Sequence, residues 1–142
     1  MFNTKLLHGT LKILRFDAAK TCSIVENEIA FLEHVEIEAS LEYTRRGVLE
    51  MHLIAPSGTR VQILSPRKLD DSSDGFDKWK FMSVATWGED PRGIWMLHLF
   101  DKIGSATYNG TIGEFKLILH GTRRLPHYRK YGSRIYDGAY KR

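Results

Sequence analysis

The chain has 142 residues and a mass of 16.4 kDa, a size that fits one domain burying about 70% of its unfolded surface. Hydrophobic residues at 42% and charged residues at 27% exclude a wholly disordered, collagen-like or coiled-coil chain. The net charge of +4 is unevenly placed: residues 121–142 hold seven basic side chains against Asp137, which leaves the body of the chain slightly acidic. No apolar run approaches the roughly 18 residues of a membrane helix, and Met1 to Gly9 lacks an apolar stretch of signal-peptide length. No membrane span is expected, and no secretory leader is visible in the chain as written.

Taken in chain order, the periodicity predicts strands rather than helices, because short stretches alternate with period two and are rich in β-branched and aromatic residues. Leu11 to Phe16 is the first predicted strand. His34 to Ala39 is the second, with Val35, Ile37 and Ala39 inward and the acids outward. Val48 to Ile54 alternates with Leu49, Met51 and Leu53 on one face, then reaches the turn Pro56-Ser57-Gly58-Thr59 before Arg60 to Leu64, which reads as a β-hairpin. Residues 65–93 form the longest irregular region, with a short strand expected at Lys80 to Val84. Gly93 to Phe100 and Glu114 to His120 supply two further strands, joined by a polar connection from Asp101 to Gly113. About seven short strands separated by turns predict an all-β chain, an antiparallel β-sandwich of jelly-roll, galactose-binding-domain-like type.

Several residue groups raise a question of chemistry. Cys22 is the only cysteine, so it forms no internal disulfide or zinc set and reads as a small half-buried residue. His-Gly-Thr occurs at His8 and at His120, inside the five-residue echo Leu6 to Thr10 against Ile118 to Thr122. The echo is too short to be a structural repeat. His-Gly-Thr also surrounds the catalytic histidine of subtilisin-like proteases, but no nucleophile motif accompanies it here, and no catalytic triad is expected. The acidic stretch Asp70 to Asp77 places Asp70, Asp74 and Asp77 in one loop. With Phe81 where an EF-hand needs its glutamate, that reading is excluded, which leaves a shallow calcium site or an Asx-rich turn. Trp79, Trp87 and Trp95 recur every eight residues: Trp95 is expected in the core, and the other two in the core or on a surface. The arginines and tyrosines of 123–142 could serve nucleic acid only through salt-sensitive contacts, and the segment reads as a solvated, flexible tail.

The order of these segments resembles one family. Leu32-Glu33-His34-Val35, Tyr43-Thr44-Arg45-Arg46-Gly47-Val48-Leu49, His52 to Arg60, Asp74 to Met82, Thr86 to Trp95, Tyr108 to Thr111 and Phe115 to Thr122 are together similar to the P domain (Homo B domain) of kexin and furin-type proprotein convertases. The likeness covers about 100 residues, from Cys22 to Thr122. It implies three segments: 1–10 unmatched, 11–122 a P-domain sandwich, and 123–142 the basic tail. It further implies a non-catalytic module that stabilises and regulates a subtilisin-like protease domain, in cis or in trans, whose substrates are cleaved after paired basic residues in the secretory pathway or outside the cell.

Three departures bear on what is carried over. Val48 replaces the acid of the family's Arg-Gly-Asp stretch within Arg45-Arg46-Gly47-Val48. Cys22 stands where family members pair a cysteine with one further upstream, before the start of this chain. The two ends match nothing in the family, as expected of a truncated product, an alternative transcript or an excised fragment. A protease-facing surface is expected at Trp79, Phe81, Trp87, Glu89 and Asp90. No nucleic-acid partner and no certain cofactor are expected, calcium being the one possible ligand. The reading from another class is a carbohydrate-binding jelly-roll module that stacks sugars on the loop tryptophans.

Overall fold

A computed structural model describes residues 4–18 and 31–122. Cys22 and the basic segment 123–142 lie outside the described residues, so the readings of both stand as expectations. The described chain folds into eight strands: β1 (Thr4–Leu7), β2 (Lys12–Asp17), β3 (Phe31–Tyr43), β4 (Leu49–Ile54), β5 (Arg60–Leu64), β6 (Phe76–Ser83), β7 (Ile94–Asp101) and β8 (Asn109–Thr122). They form two antiparallel four-stranded sheets of order β1-β8-β3-β6 and β2-β7-β4-β5. The first strand pairs with the last, the second with the seventh, the third with the sixth and the fourth with the fifth. Such nesting of hairpins is the wrapping of a jelly roll, as expected from the sequence. No helix among the described residues is long and apolar enough to cross a membrane.

The alternating strands are where they were predicted, and the others differ for physical reasons. β1 was not expected: it has four residues, and only Leu6 turns inward, so no periodicity is legible. The sandwich therefore takes in residues from Thr4 onward. β3 extends well beyond 34–39, its alternation interrupted by register shifts between Leu32 and His34 and between Ala39 and Leu41. β6 begins at Phe76 instead of residue 80, because an edge strand exposes both faces and its middle positions are all charged or exposed. β8 begins at Asn109, where a Gly-containing polar stretch that reads as a turn pairs with Glu42 and Tyr43. The Pro56 to Thr59 turn closes the β4–β5 hairpin, with the Gly58 N–H on the Ala55 carbonyl and the Ala55 N–H on Thr59.

The inner faces of both sheets supply the core. Val35, Ile37, Ala39 and Leu41 from β3 meet Leu49, Met51 and Leu53 from β4 and Trp95, Leu97 and Leu99 from β7. Each large side chain removed from water contributes about 1.5–3 kcal/mol. Trp95 is fully buried, and its indole N–H donates to the Pro91 carbonyl at 2.8 Å.

One end of the core is closed by a polar plug. The fully buried Asp101 carboxylate accepts from the Tyr43 hydroxyl at 2.6 Å and from the Gly104 N–H at 2.7 Å. His8 Nδ1 lies 3.2 Å from the same carboxylate without the alignment of a hydrogen bond. Burial, then the bond to Asp101 and its charge, push the Tyr43 hydroxyl well above its ordinary range, so it stays a donor. The plug ties β3 to both connections that flank it, since the Gly9 N–H also bonds the Asp101 carbonyl.

Candidate docking surface and its support

The Arg45-Arg46-Gly47-Val48 stretch forms a short 3-10 turn at the entrance to β4, and its side chains clasp the irregular loop that follows β5. The Arg46 guanidinium donates through Nε to the Asp70 carboxylate at 2.9 Å and through Nη1 to the Gly75 carbonyl at 2.9 Å. Arg67 donates to the same carboxylate at 2.8 Å and to the Arg46 carbonyl at 2.8 Å. Arg45 reaches the carbonyls of Lys68 and Asp70. Burial raises the Asp70 pKa, but the Arg46 hydrogen bond, the Ser72 N–H and the charges of Arg46 and Arg67 outweigh it and hold the carboxyl below the usual range.

Gly47 is required because the loop's backbone passes directly over it. A Cβ at Gly47 would fall inside the van der Waals envelope of the Asp70 and Arg67 carbonyl oxygens. Val48 is buried in the core, where its side chain serves packing.

The clasp fixes an aromatic group. The Arg46 guanidinium lies 5.4 Å from the ring centroids of both Phe76 and Trp79, and that of Arg67 lies 5.6 Å from the Phe76 centroid. Phe76 meets Trp79 and Phe81 edge to face at 5.4 and 5.3 Å. Phe76 is buried and Phe81 half-buried, whereas Trp79 remains 48% exposed on the edge strand β6. Met82, which stands opposite Glu36 and so on the other face of β6 from Trp79, and Val84 and Trp87 beyond the strand's end are 63%, 55% and 46% exposed.

Residues 84–90, which carry Trp87, are anchored at several points. The Gly88 N–H bonds the Leu32 carbonyl, and the Leu32 N–H bonds the Glu89 carbonyl. The Glu89 carboxylate accepts from Ser57 Oγ at 2.6 Å and Thr59 Oγ1 at 2.8 Å, which ties the loop to the β4–β5 turn. Asp90 pairs with Arg92 at 2.8 Å, and the Arg92 hydrogen bond holds its carboxyl below the usual range. Trp79 and Trp87 are thus carried by segments tied down at several points.

The acidic loop is not gathered into a ligand set. Asp70 already faces two guanidiniums, Asp74 and Asp77 are exposed, and the three do not bring their oxygens together.

The model of the proprotein convertase P-domain matches residues 32–119. The chain belongs to this family. The P domain is 41% identical to neuroendocrine convertase 2 of Mus musculus over 126 residues, or 88% of this chain and 20% of that protein. It is 47% identical to neuroendocrine convertase 2 of Caenorhabditis elegans over 107 residues, 75% of this chain and 16% of the relative. It is 44% identical to endoprotease bli-4 of Caenorhabditis elegans over 94 residues, 66% of this chain and 10% of the relative. The chain spans a fifth or less of the length of these relatives. Among solved structures, the serine protease of Aeromonas sobria shares the fold at a TM-score of 0.61 and 17% identity, over 84% of this chain and 26% of that one.

Of the five side chains expected on the docking surface, the fold leaves Trp79 and Trp87 half-exposed, uses Phe81 and Glu89 as support, and sets Asp90 in a local ion pair. Arg67, Gly75 and Phe76 were not singled out from the sequence. Their role depends on contacts across long sequence separations, and only the density of charge around residues 67–70 hinted at it.

Proposed function

We propose that this P domain acts as the non-catalytic companion of a subtilisin-like serine endopeptidase domain, which it stabilises and regulates in cis or in trans. The protease domain would carry the cleavage after paired basic residues, in the secretory pathway or outside the cell. The observation that carries the reading is the concentration of exposed large apolar side chains, Trp79, Met82, Val84 and Trp87, on the edge strand β6 and the turn that follows it in a family-member sandwich. Large apolar side chains left exposed together at one edge mark a contact surface.

Catalysis by the chain itself finds no support in the two His-Gly-Thr sequences. His8 sits beside Asp101, and His120 contacts Glu36 and His34. Neither is hydrogen-bonded to a serine among the described residues. A glycan-binding reading loses support as well, because the Arg46 guanidinium already lies against the Trp79 ring.

The test is to express a neuroendocrine-convertase-type protease domain with and without this chain. Co-expression is expected to raise the yield of soluble, active protease, and the Trp79→Ala/Trp87→Ala double variant to remove most of that gain. An equal yield of active protease with and without the chain would refute the proposal.

A further inference from the structure

The outer face of the β1-β8-β3-β6 sheet carries a second constellation, adjoining Met82 of β6, which pairs with Glu36. His34 on β3 stands directly opposite His120 on β8, and Glu36 follows two residues along the same strand. Period-two geometry puts all three side chains on one face. The two imidazole rings lie parallel, with centroids 4.1 Å apart and an interplanar angle of 11°. His120 Nε2 is 2.7 Å from Glu36 Oε1. One donor atom from each residue lies within 4.8 Å of the other two, the one such set of three among the described residues.

We propose that His34, Glu36 and His120 form a binding site for a zinc-type divalent cation. Two imidazole nitrogens and one carboxylate oxygen are a donor set that suits zinc and its neighbours, whereas calcium and magnesium take oxygen. Tetrahedral bonds of about 2.0–2.1 Å require donors roughly 3.4 Å apart. The observed spacing comes within reach of that value by turning the imidazoles about χ2, a broad and soft torsion. The His120 side chain is 40% exposed and Glu36 18%, so the ion has a path from solvent and room for a water as fourth ligand. The carboxylate offsets part of the ion's charge; of the two lysines that flank Glu38 on this face, Lys116 is directed to Glu38 and Glu114, and Lys80 stands across from Glu38 on β6. A bound ion would clip the end of β8 to the start of β3, where the Leu32 backbone also holds the 88–89 loop.

Zinc titration of the full chain by calorimetry is the test, with cobalt as a spectroscopic stand-in. Saturable binding of one zinc per chain is expected, with a rise in Tm and the visible absorption bands of tetrahedral cobalt. His34→Ala and His120→Ala are each expected to weaken binding by at least about tenfold, and His98→Ala to leave it unchanged. On the unsubstituted chain, zinc is expected to shift the imidazole NMR signals of His34 and His120 and to leave those of His52 and His98 in place, a readout that needs no variant to fold. Absence of saturable binding, or binding that shifts other histidines, would overturn the proposal.

Discussion

Arg46 concentrates more interactions than any residue singled out from the sequence: an ion pair with Asp70, a bond to the Gly75 carbonyl and two aromatic faces. Replacing it by alanine leaves Asp70 with Arg67 and the Ser72 N–H and removes one of the two guanidiniums beside Phe76. Arg46→Ala is expected to cost about 2 kcal/mol, read as a fall in Tm of roughly 5–10 °C. Gly47→Ala should be costlier than an ordinary surface glycine change, by about 1–3 kcal/mol, since the 67–70 backbone must move to admit the methyl group. The clasp also predicts a pH dependence. The Asp70 pKa is lowered from the 3.8 of a free carboxyl, so its contribution is complete above that value and is lost as pH falls through the lower folded pKa. The Tm difference between the chain and Asp70→Asn should therefore be full near neutrality and shrink below pH 3.8.

At the scale of elements, legibility followed alternation. β2, β4, β5 and β7 are read from the sequence because one face of each is buried and the other wet, as in β7, whose burial alternates residue by residue. β6 was read too short because its edge position exposes both faces, and the Lys78 backbone adopts a left-handed φ of 50° opposite the β3 bulge, where Ser40 Oγ accepts its N–H. The arginine motif, the acidic loop and Trp79 were each visible in the sequence, but their union in one cluster was not. It depends on Arg46 meeting Asp70, Gly75 and Trp79 across long loops. The edge itself predicts a separation of effects. Trp87→Ala should cost the isolated domain less than about 1.5 kcal/mol while weakening docking by about 2 kcal/mol or more, roughly thirtyfold in Kd. Leu97→Ala, in the core, should destabilise by about 2–5 kcal/mol in thermal melts.

For the whole molecule, the wrapping of β1 to β8 leaves four sheet edges, and they are unequal. Met82, Val84 and the two tryptophans crowd the β6 edge and the turn after it, while Leu7, Leu11 and Ile13 are exposed around β1 and β2. The first edge is the one proposed to meet the protease domain, because it combines tryptophans with the Arg46 clasp and the Glu89 anchor. Amide hydrogen exchange of this chain, alone and with a convertase-type protease domain, tests that assignment most directly. Exchange is expected to slow across Phe76 to Asp90 when the partner is present and to stay unchanged from Thr4 to Asp17. Slowing confined to Thr4 to Asp17, or none in either region, would contradict it.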